Sequence, residues 1–400
     1  MTSWSPVHIS GMGCICHAGA TLGACMQSLY QGSRQPGPPT VFQCSLKNVS
    51  PVFEVPNAFF PVEIRQRNDL SRLFKLVLTA AKEAIRQAGW TVQDLNGLRV
   101  GVCLGTNVGS AMNNETFFQN RPEGCDPFIA PQERFFQSNP TAALAREWHL
   151  SGPTLTAVTA CSAGTDAIGL AAGWIQEDIC DLVITGGADA MYEVTYHGFR
   201  SLMIMDNHPC RPFDHRRKGL NLGEGAAVMI LESPELIKSR RGRIQALILG
   251  YGASADAYHL TSPDPTGAGL ELAIDEALKK SGLSSEAITF INAHGTGTHE
   301  NDRMESQVLA NRFPGIPFFS TKGYTGHTLG AAGAVEAVFS IACLEKQEIP
   351  ASLGFEEPDL TLSAQPVKEN TDLEGHIALS ESLAFGGNNA VLILGNGDIR

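Results

Sequence analysis

Asp69-Leu-Ser-Arg-Leu-Phe-Lys-Leu-Val-Leu-Thr-Ala-Ala-Lys-Glu-Ala-Ile-Arg-Gln-Ala-Gly89, followed shortly by Leu98-Arg-Val-Gly-Val-Cys-Leu104, decides the fold. Leu70, Leu73, Phe74, Val77, Ala81, Ala84 and Ile85 recur at the spacing of one helical face, with Asp69 as the expected N-cap and Gly89 as the stop. The second run is apolar without alternation, as in a strand buried on both faces, and it ends in Gly105-Thr106. The same order returns later. A helix over roughly 270–281 stops at Gly282, and a strand over 288–293 ends in His294-Gly295-Thr296. Glu83-Ala-Ile-Arg-Gln-Ala-Gly89 parallels Glu276-Ala-Leu-Lys-Lys-Ser-Gly282, and the small-residue turn Cys161-Ser-Ala-Gly164 parallels His327-Thr-Leu-Gly330. Two matches in one order imply an internal duplication of about 190 residues. Two α/β halves, 1–243 and 244–400, are therefore expected, packed as one unit because no Pro/Ser-rich linker divides them. Alternating helices and apolar strands predict mostly parallel sheets covered by helices.

Composition removes several function classes. Of 400 residues, 43% are hydrophobic and 18% charged, which suits a packed globular protein. Twenty-nine basic against 41 acidic residues give −12, so a nucleic-acid binder is not expected, although a local basic patch remains open. Met1-Thr-Ser-Trp-Ser-Pro6 lacks the basic-then-apolar pattern of a signal peptide, and no run of about 18 apolar residues predicts a membrane span. A cytoplasmic protein is expected. The ten cysteines include no Cys-x-x-Cys and no zinc-finger spacing, so no metal site is expected and most thiols should be reduced and buried.

The glycine-rich segments 105–110 and 321–326 lack the Gly-Lys-Ser/Thr ending of a phosphate loop, and there is neither a Gly-x-Gly-x-x-Gly nor a Gly-x-Ser-x-Gly signature. Cys161 is the distinctive nucleophile. It follows a β-rich run and precedes the helix-like 167–175, so unpaired N–H groups and the helix dipole favour its thiolate, and its own N–H can face an oxyanion. The alternative is a buried turn cysteine. His294 ends the repeated strand, and His327 opens the second small-residue turn, five residues after Lys322. Each alone fits a core histidine as well as a catalytic one. With Cys161 they supply a nucleophile and two imidazoles able to donate hydrogen bonds to a carbonyl. A buried Lys322 needs a carboxylate, and Glu305 and Asp302 are the candidates. Phe385 lies in Ala384-Phe-Gly-Gly-Asn-Asn389, either a β-turn or a close backbone approach to a reacting centre.

Thr159-Ala-Cys161-Ser-Ala-Gly, Ala293-His294-Gly-Thr-Gly-Thr298, Lys322-Gly-Tyr-Thr-Gly-His327-Thr-Leu-Gly-Ala-Ala-Gly and Phe385-Gly-Gly-Asn-Asn together resemble the β-ketoacyl-acyl-carrier-protein synthases of the elongating, Cys-His-His type. Ile9-Ser-Gly-Met-Gly13, Arg211-Pro-Phe-Asp214, Gly223-Glu-Gly225 and Asp256-Ala-Tyr-His-Leu-Thr-Ser-Pro263 extend the match from about residue 7 to 396. The resemblance implies a thiolase-type, five-layered α-β-α-β-α fold of two duplicated halves. It implies an acyltransferase that holds an acyl chain on Cys161 and condenses it, with decarboxylation, with a malonyl group on acyl carrier protein. Cys161 and Phe385 would supply the oxyanion-hole N–H groups, and His294 and His327 would polarise the malonyl carbonyl. Lys322 would organise the site, with Glu305 as its carboxylate partner and Asp302 in support. Thr296, Thr298, Thr261 and Ser262 would line the pantetheine tunnel, and Phe199 the acyl pocket. Arg65 and Arg67 would dock the acidic carrier. No cofactor is implied beyond the carrier's phosphopantetheine. The implied assembly is a homodimer, or a heterodimer with a chain-length-factor-like homologue.

Three departures touch the site's surroundings: Ala384 with Asn388-Asn389, Lys218 after Arg217, and His299-Glu300. They favour a specialised synthase, as in polyketide or aryl-polyene assembly, over the principal fatty-acid enzyme. A non-catalytic chain-length-factor-like subunit is the competing reading, and such subunits typically lose the nucleophile that this chain keeps. Residues around 107–135 are expected to set pocket depth.

Overall fold

The computed structural model describes residues 4–44, 48–109 and 139–398. Residues 110–138, most of the stretch expected to set pocket depth, lie outside it. The first half contributes β1 (Val7–Cys16), β2 (Val100–Gly105), β3 (Thr154–Ala157), β4 (Leu182–Asp189) and β5 (Gly225–Glu232). The second contributes β6 (Ala246–Ala255), β7 (Phe290–Asn292), β8 (Phe318–Phe319), β9 (Ile377–Ala384) and β10 (Asn388–Asn396). Their hydrogen-bonded order is β3-β2-β4-β5-β1-β6-β10-β9-β7-β8. Read outward from the β1–β6 junction, each half repeats one order: first strand, fifth, fourth, second, third. The pairing sense repeats as well. β2 is parallel to β3 and β4, as β7 is to β8 and β9, whereas β5 and β10 run antiparallel to both of their neighbours.

This corrects the expectation of mostly parallel sheets. β9 and β10 are joined by three residues, and a connection that short can only reverse the chain. Helical periodicity cannot reveal such a reversal.

The expected helix is α1, Arg72–Gln87. Its N-cap is Ser71, whose hydroxyl accepts the Phe74 N–H at 3.2 Å, whereas Asp69, the expected cap, lies two residues upstream and pairs with the Arg67 guanidinium. With α2 (Ala163–Gln176), α3 (Ala268–Ser281), α4 (His299–Arg312) and α5 (Ala332–Lys346), it builds the layers. α1 covers β1 and β5 on one outside, and α3 covers β6 and β10 on the other. α2 and α5 touch each other and strands of both halves, forming the middle layer. A helix enclosed by two sheets must be small and apolar nearly all round. The Ala/Gly-rich α2 and the almost wholly buried α5 meet that demand.

The two middle helices also fix the internal register. Ala160 (φ +53°) and Leu329 (φ +55°) each open a single 3₁₀ turn, 160–162 and 329–331, that runs straight into α2 and α5. Cys161 is therefore equivalent to Gly330, and Gly164 to Gly333. The sequence parallel with His327 is three residues out of step.

Candidate active site

Cys161 stands where β3 hands the chain to α2. The left-handed Ala160 makes the corner, a conformation costly for a residue with a Cβ. Asp166 pins it by accepting the Ser162 hydroxyl at 2.9 Å and the Thr159 hydroxyl, while the Tyr251 hydroxyl holds its other oxygen at 2.8 Å. Sγ is thus buried beside the N-terminus of α2, where the positive dipole end favours an anion. Burial nevertheless dominates and pushes the thiol up to about 12, against the pull of the Lys322 charge and the Phe385 N–H.

His327 lies 3.0 Å from that sulfur through Nε2. The backbone on either side of its ring is clamped by His327 N–H to Asn221 O at 2.7 Å and Gly223 N–H to His327 O at 2.9 Å. The Leu329 N–H donates to Nδ1 at 3.2 Å, so the proton of the neutral ring is on Nε2, directed at sulfur. His294 meets His327 edge to face, centroids 5.2 Å apart. Its Nδ1 accepts from the Lys322 ammonium at 3.1 Å, which places its proton on Nε2 too. Burial first, and the Lys322 charge second, hold both imidazoles well below their ordinary range. Both are neutral N–H donors.

The carboxylate expected beside Lys322 is a different one. Nζ bonds Glu336 Oε1 at 2.5 Å, from α5. Glu305 and Asp302, on α4, are occupied by backbone. Glu305 accepts the N–H groups of His294 and Gly295 at 2.5 and 2.9 Å, and Asp302 accepts those of Phe213 and Gly297 at 2.7 and 3.1 Å. They hold the 294–297 turn, while α5 runs beneath Lys322. Burial raises Glu336 to about 7, against the opposing lysine charge. Glu336 was the missed residue. Its signal was a lone carboxylate in the apolar run of α5. Asp189 was missed as well: it gathers Thr106, Asn107 and the Gly330 N–H at 2.6–2.8 Å, tying the β2 end to the second turn, and no local pattern marks it.

Phe385-Gly-Gly387 is the three-residue loop between β9 and β10. Gly386 (φ +87°) and Gly387 (φ +81°) are both left-handed, so this tight reversal calls for glycine at both positions. The loop aims the Phe385 N–H at Cys161 Sγ.

One cavity of about 270 Å³ collects most of the expected residues: Cys161, His294, His327, Phe385, Phe199, Thr261, Ser262, Thr296 and Thr298 line it, with Asp256, Glu300 and Asn389. Phe199, on the helix Glu193–Ser201, stacks on Phe385 at 5.7 Å. Thr296 and Thr298 share a 2.8 Å hydroxyl bond, and the Thr261 and Ser262 N–H groups are fixed on His259 Nδ1. Arg65 and Arg67 stand elsewhere, on the segment before α1. Arg65 is exposed, and Arg67 is already paired with Asp69 at 2.6 Å and Glu147 at 3.0 Å. Chemically, the cavity offers one thiol, two neutral imidazole N–H groups and a backbone N–H around the same point. That arrangement suits a nucleophile attacking a carbonyl while charge on oxygen is held by donors.

Comparison with known proteins agrees. The family models described as Beta-ketoacyl synthase, N-terminal domain, and Beta-ketoacyl synthase, C-terminal domain, match residues 5–236 and 245–356. The 3-oxoacyl-[acyl-carrier-protein] synthase 2 of Synechocystis sp. is 34% identical, over 96% of this chain and 97% of its own. Among solved structures, the ishigamide ketosynthase/chain length factor superposes with TM-score 0.89 at 30% identity, covering 98% of this chain and 99% of that one. The ketosynthase ApeO in complex with its chain length factor ApeC, from Xenorhabdus doucetiae, gives TM-score 0.82 at 31% identity, covering 98% of each chain.

Proposed function

The chain belongs to the β-ketoacyl synthase family, with its thiolase-type duplicated fold, and from that premise we propose which residues carry its elongating condensation and on what partners. It is an acyltransferase. The Cys161 thiol takes an acyl group from a carrier thioester, releasing the carrier thiol. A malonyl-carrier thioester then loses carbon dioxide, and the enolate left behind attacks the acyl-Cys161 carbonyl. Sulfur leaves as thiolate and recovers a proton, and the chain departs two carbons longer as a β-ketoacyl-carrier.

The observation that carries this reading is the pair of Nε2–H groups, one 3.0 Å from Sγ, in one cavity. Neutral donors stabilise an enolate oxygen without needing to give up a proton. Lys322, braced by Glu336, sets the tautomer of His294, the Leu329 N–H sets that of His327, and burial together with the lysine charge keeps both rings neutral. The N–H groups of Cys161 and Phe385 form the oxyanion hole for the acyl carbonyl. Thr296, Thr298, Thr261 and Ser262 hold the pantetheine arm, and Phe199 borders the acyl chain. No further cofactor enters the scheme. The division at residue 243 is supported by the gap between the two family matches and by the strand order that restarts at β6.

The non-catalytic reading is disfavoured by the intact Cys161–His327 contact. For assembly we favour a dimer through the β3 edge, where Leu155, Val158 and Leu170 are exposed, the second chain being a copy or a chain-length-factor-like homologue. The carrier is an acyl carrier protein, met by Arg65, and the compartment is the cytoplasm. Among the described residues no helix is long and apolar enough to cross a membrane. The departures at Lys218, His299-Glu300 and Asn388 support a specialised pathway over the principal fatty-acid one.

The test separates the half-reactions. Cys161→Gln places an uncharged amide where the acyl thioester would stand. Carbon dioxide release from malonyl-carrier should persist or rise while ketoacyl product disappears. Adding His327→Ala should then cut decarboxylation by roughly 10² to 10³. A folded Cys161→Gln protein that does neither reaction would refute the assigned roles.

A further inference from the structure

Three thiols meet far along the chain from the nucleophile. Cys14 and Cys16 are two apart on β1 and so share a face, and Cys25 comes from the first turn of the helix Leu22–Tyr30. All three are fully buried, their sulfurs lie within 4.8 Å of one another, and Cys16 Sγ is 3.6 Å from Cys25 Sγ. We propose that Cys14, Cys16 and Cys25 form a three-coordinate thiolate site for a soft monovalent metal ion, Cu(I).

Ligand type and number both select the ion. Thiolates prefer soft metals, Cu(I) foremost among monovalent ones. Zinc in a structural site takes four ligands, and here a fourth is missing. Among the described residues no histidine or carboxylate joins the trio. His17, next in sequence, has both ring nitrogens engaged, Nδ1 with Glu54 O at 2.9 Å and Nε2 with the Gln35 N–H at 3.3 Å. Full burial leaves no water to complete a tetrahedron. A metal–sulfur bond of about 2.3 Å in a planar triangle puts the sulfurs about 4 Å apart, within the spread that the trio already shows.

Hydrogen bonds from the two neighbouring thiols and the Ala18 N–H pull Cys16 well below the ordinary thiol range, while burial raises Cys14 and Cys25. Metal binding displaces the thiol protons. Entry is through the Cys16–Cys25 loop, closed by the reciprocal Cys16–Gly19 backbone pair at 3.1 Å and exposed at Thr21 and Gly23. No electron is transferred, and the step is exchange of protons for metal.

The cluster Cys161, His294 and His327 also offers three donors, so the measurement uses the Cys161→Ala protein. Cu(I), delivered anaerobically as its acetonitrile complex, is titrated against the chelator bicinchoninate. One equivalent should resist the chelator, and Cys16→Ser or Cys25→Ala added to Cys161→Ala should weaken it more than about 100-fold, beyond what loss of an outer-sphere contact brings. X-ray absorption of the loaded Cys161→Ala protein, which needs no change in the trio, should show three sulfurs and no nitrogen. Equal uptake by the single and double variants, a nitrogen-containing or four-coordinate shell, or equally tight Zn(II) binding would each overturn the assignment. So would a Cys16–Cys25 disulfide in the freshly isolated protein.

Discussion

At the scale of single residues, Lys322 bears on three titrations at once. Burial is the largest influence on each, and the Lys322 charge, itself buried to 1% exposure, opposes it at Cys161 and adds to it at both histidines. Removing it should act oppositely on nucleophile and donors. Lys322→Met takes away a cation that favours thiolate, so the Cys161 pKa moves further above its value of about 12. Below that pKa the thiolate fraction falls tenfold per unit, each unit being about 1.4 kcal/mol. Alkylation of Cys161 by iodoacetamide, followed by intact mass, should therefore slow by about tenfold or more at pH 8 and keep rising with pH beyond 9. Both histidines should become easier to protonate, so activity should fall at a higher pH on the acid side than in the unaltered protein. Because Lys322→Met strands the Glu336 carboxylate, Lys322→Met/Glu336→Gln is the companion that removes both charges together. An alkylation rate unchanged in both variants would show that Lys322 does not set the reactivity of Cys161.

At the scale of elements, the β9–β10 loop converts hairpin geometry into chemistry. An alanine Cβ at Gly387 would meet the Asp256 Cβ at 2.9 Å and would sit at φ +81°. The left-handed backbone costs about 1–2 kcal/mol, which the fold can absorb, but the relief is a shift of the loop that carries the Phe385 N–H. Gly387→Ala should therefore lower condensation by about 10² or more while melting only a few degrees earlier. A proportional loss of melting temperature and activity would point to a structural role alone. This loop also marks how far sequence reading reaches. Phe385-Gly-Gly387 was visible as a close backbone approach, and the helix–strand order was visible from periodicity, because turn chemistry and amphipathic spacing are local. Sheet order was not, since β5 pairs with β1 and β4, and β10 with β6, across stretches of chain that no local pattern spans. The Cys161/His327 parallel slipped by three because small-residue turns look alike until backbone angles equate Ala160 with Leu329. Glu336 escaped for the same reason: its partner Lys322 is set by the packing of α5 beneath the site rather than by spacing alone.

At the scale of the whole molecule, two surfaces remain to be used. Among the described residues β3 ends the ten-strand order with no further strand on its outer edge, and Leu155 and Val158 are 37% and 62% exposed beside it. An apolar free edge invites pairing with another strand. Leu155→Lys/Val158→Glu should convert a sedimenting dimer to monomer, and an unchanged sedimentation coefficient would exclude this edge as the interface. The second surface precedes α1. An acidic carrier approaching a chain of net charge −12 is repelled overall, so docking requires a local positive point. Sequence offered Arg65 and Arg67 equally, and the ion pairs separate them. Arg67 is committed to Asp69 and Glu147, so reversing it would disturb the fold locally before any partner arrives. Arg65, exposed on the helix Val62–Arg65, is the cleaner probe. Arg65→Glu should raise the apparent KM for the carrier several-fold at low salt, with kcat little changed. The gap should narrow as ionic strength approaches 1 M, where screening shortens to about 3 Å. Activity on short pantetheine thioesters, which bring no protein surface, should stay the same. An equal loss on both substrates would place the effect in the catalytic cavity instead and remove Arg65 from the docking surface.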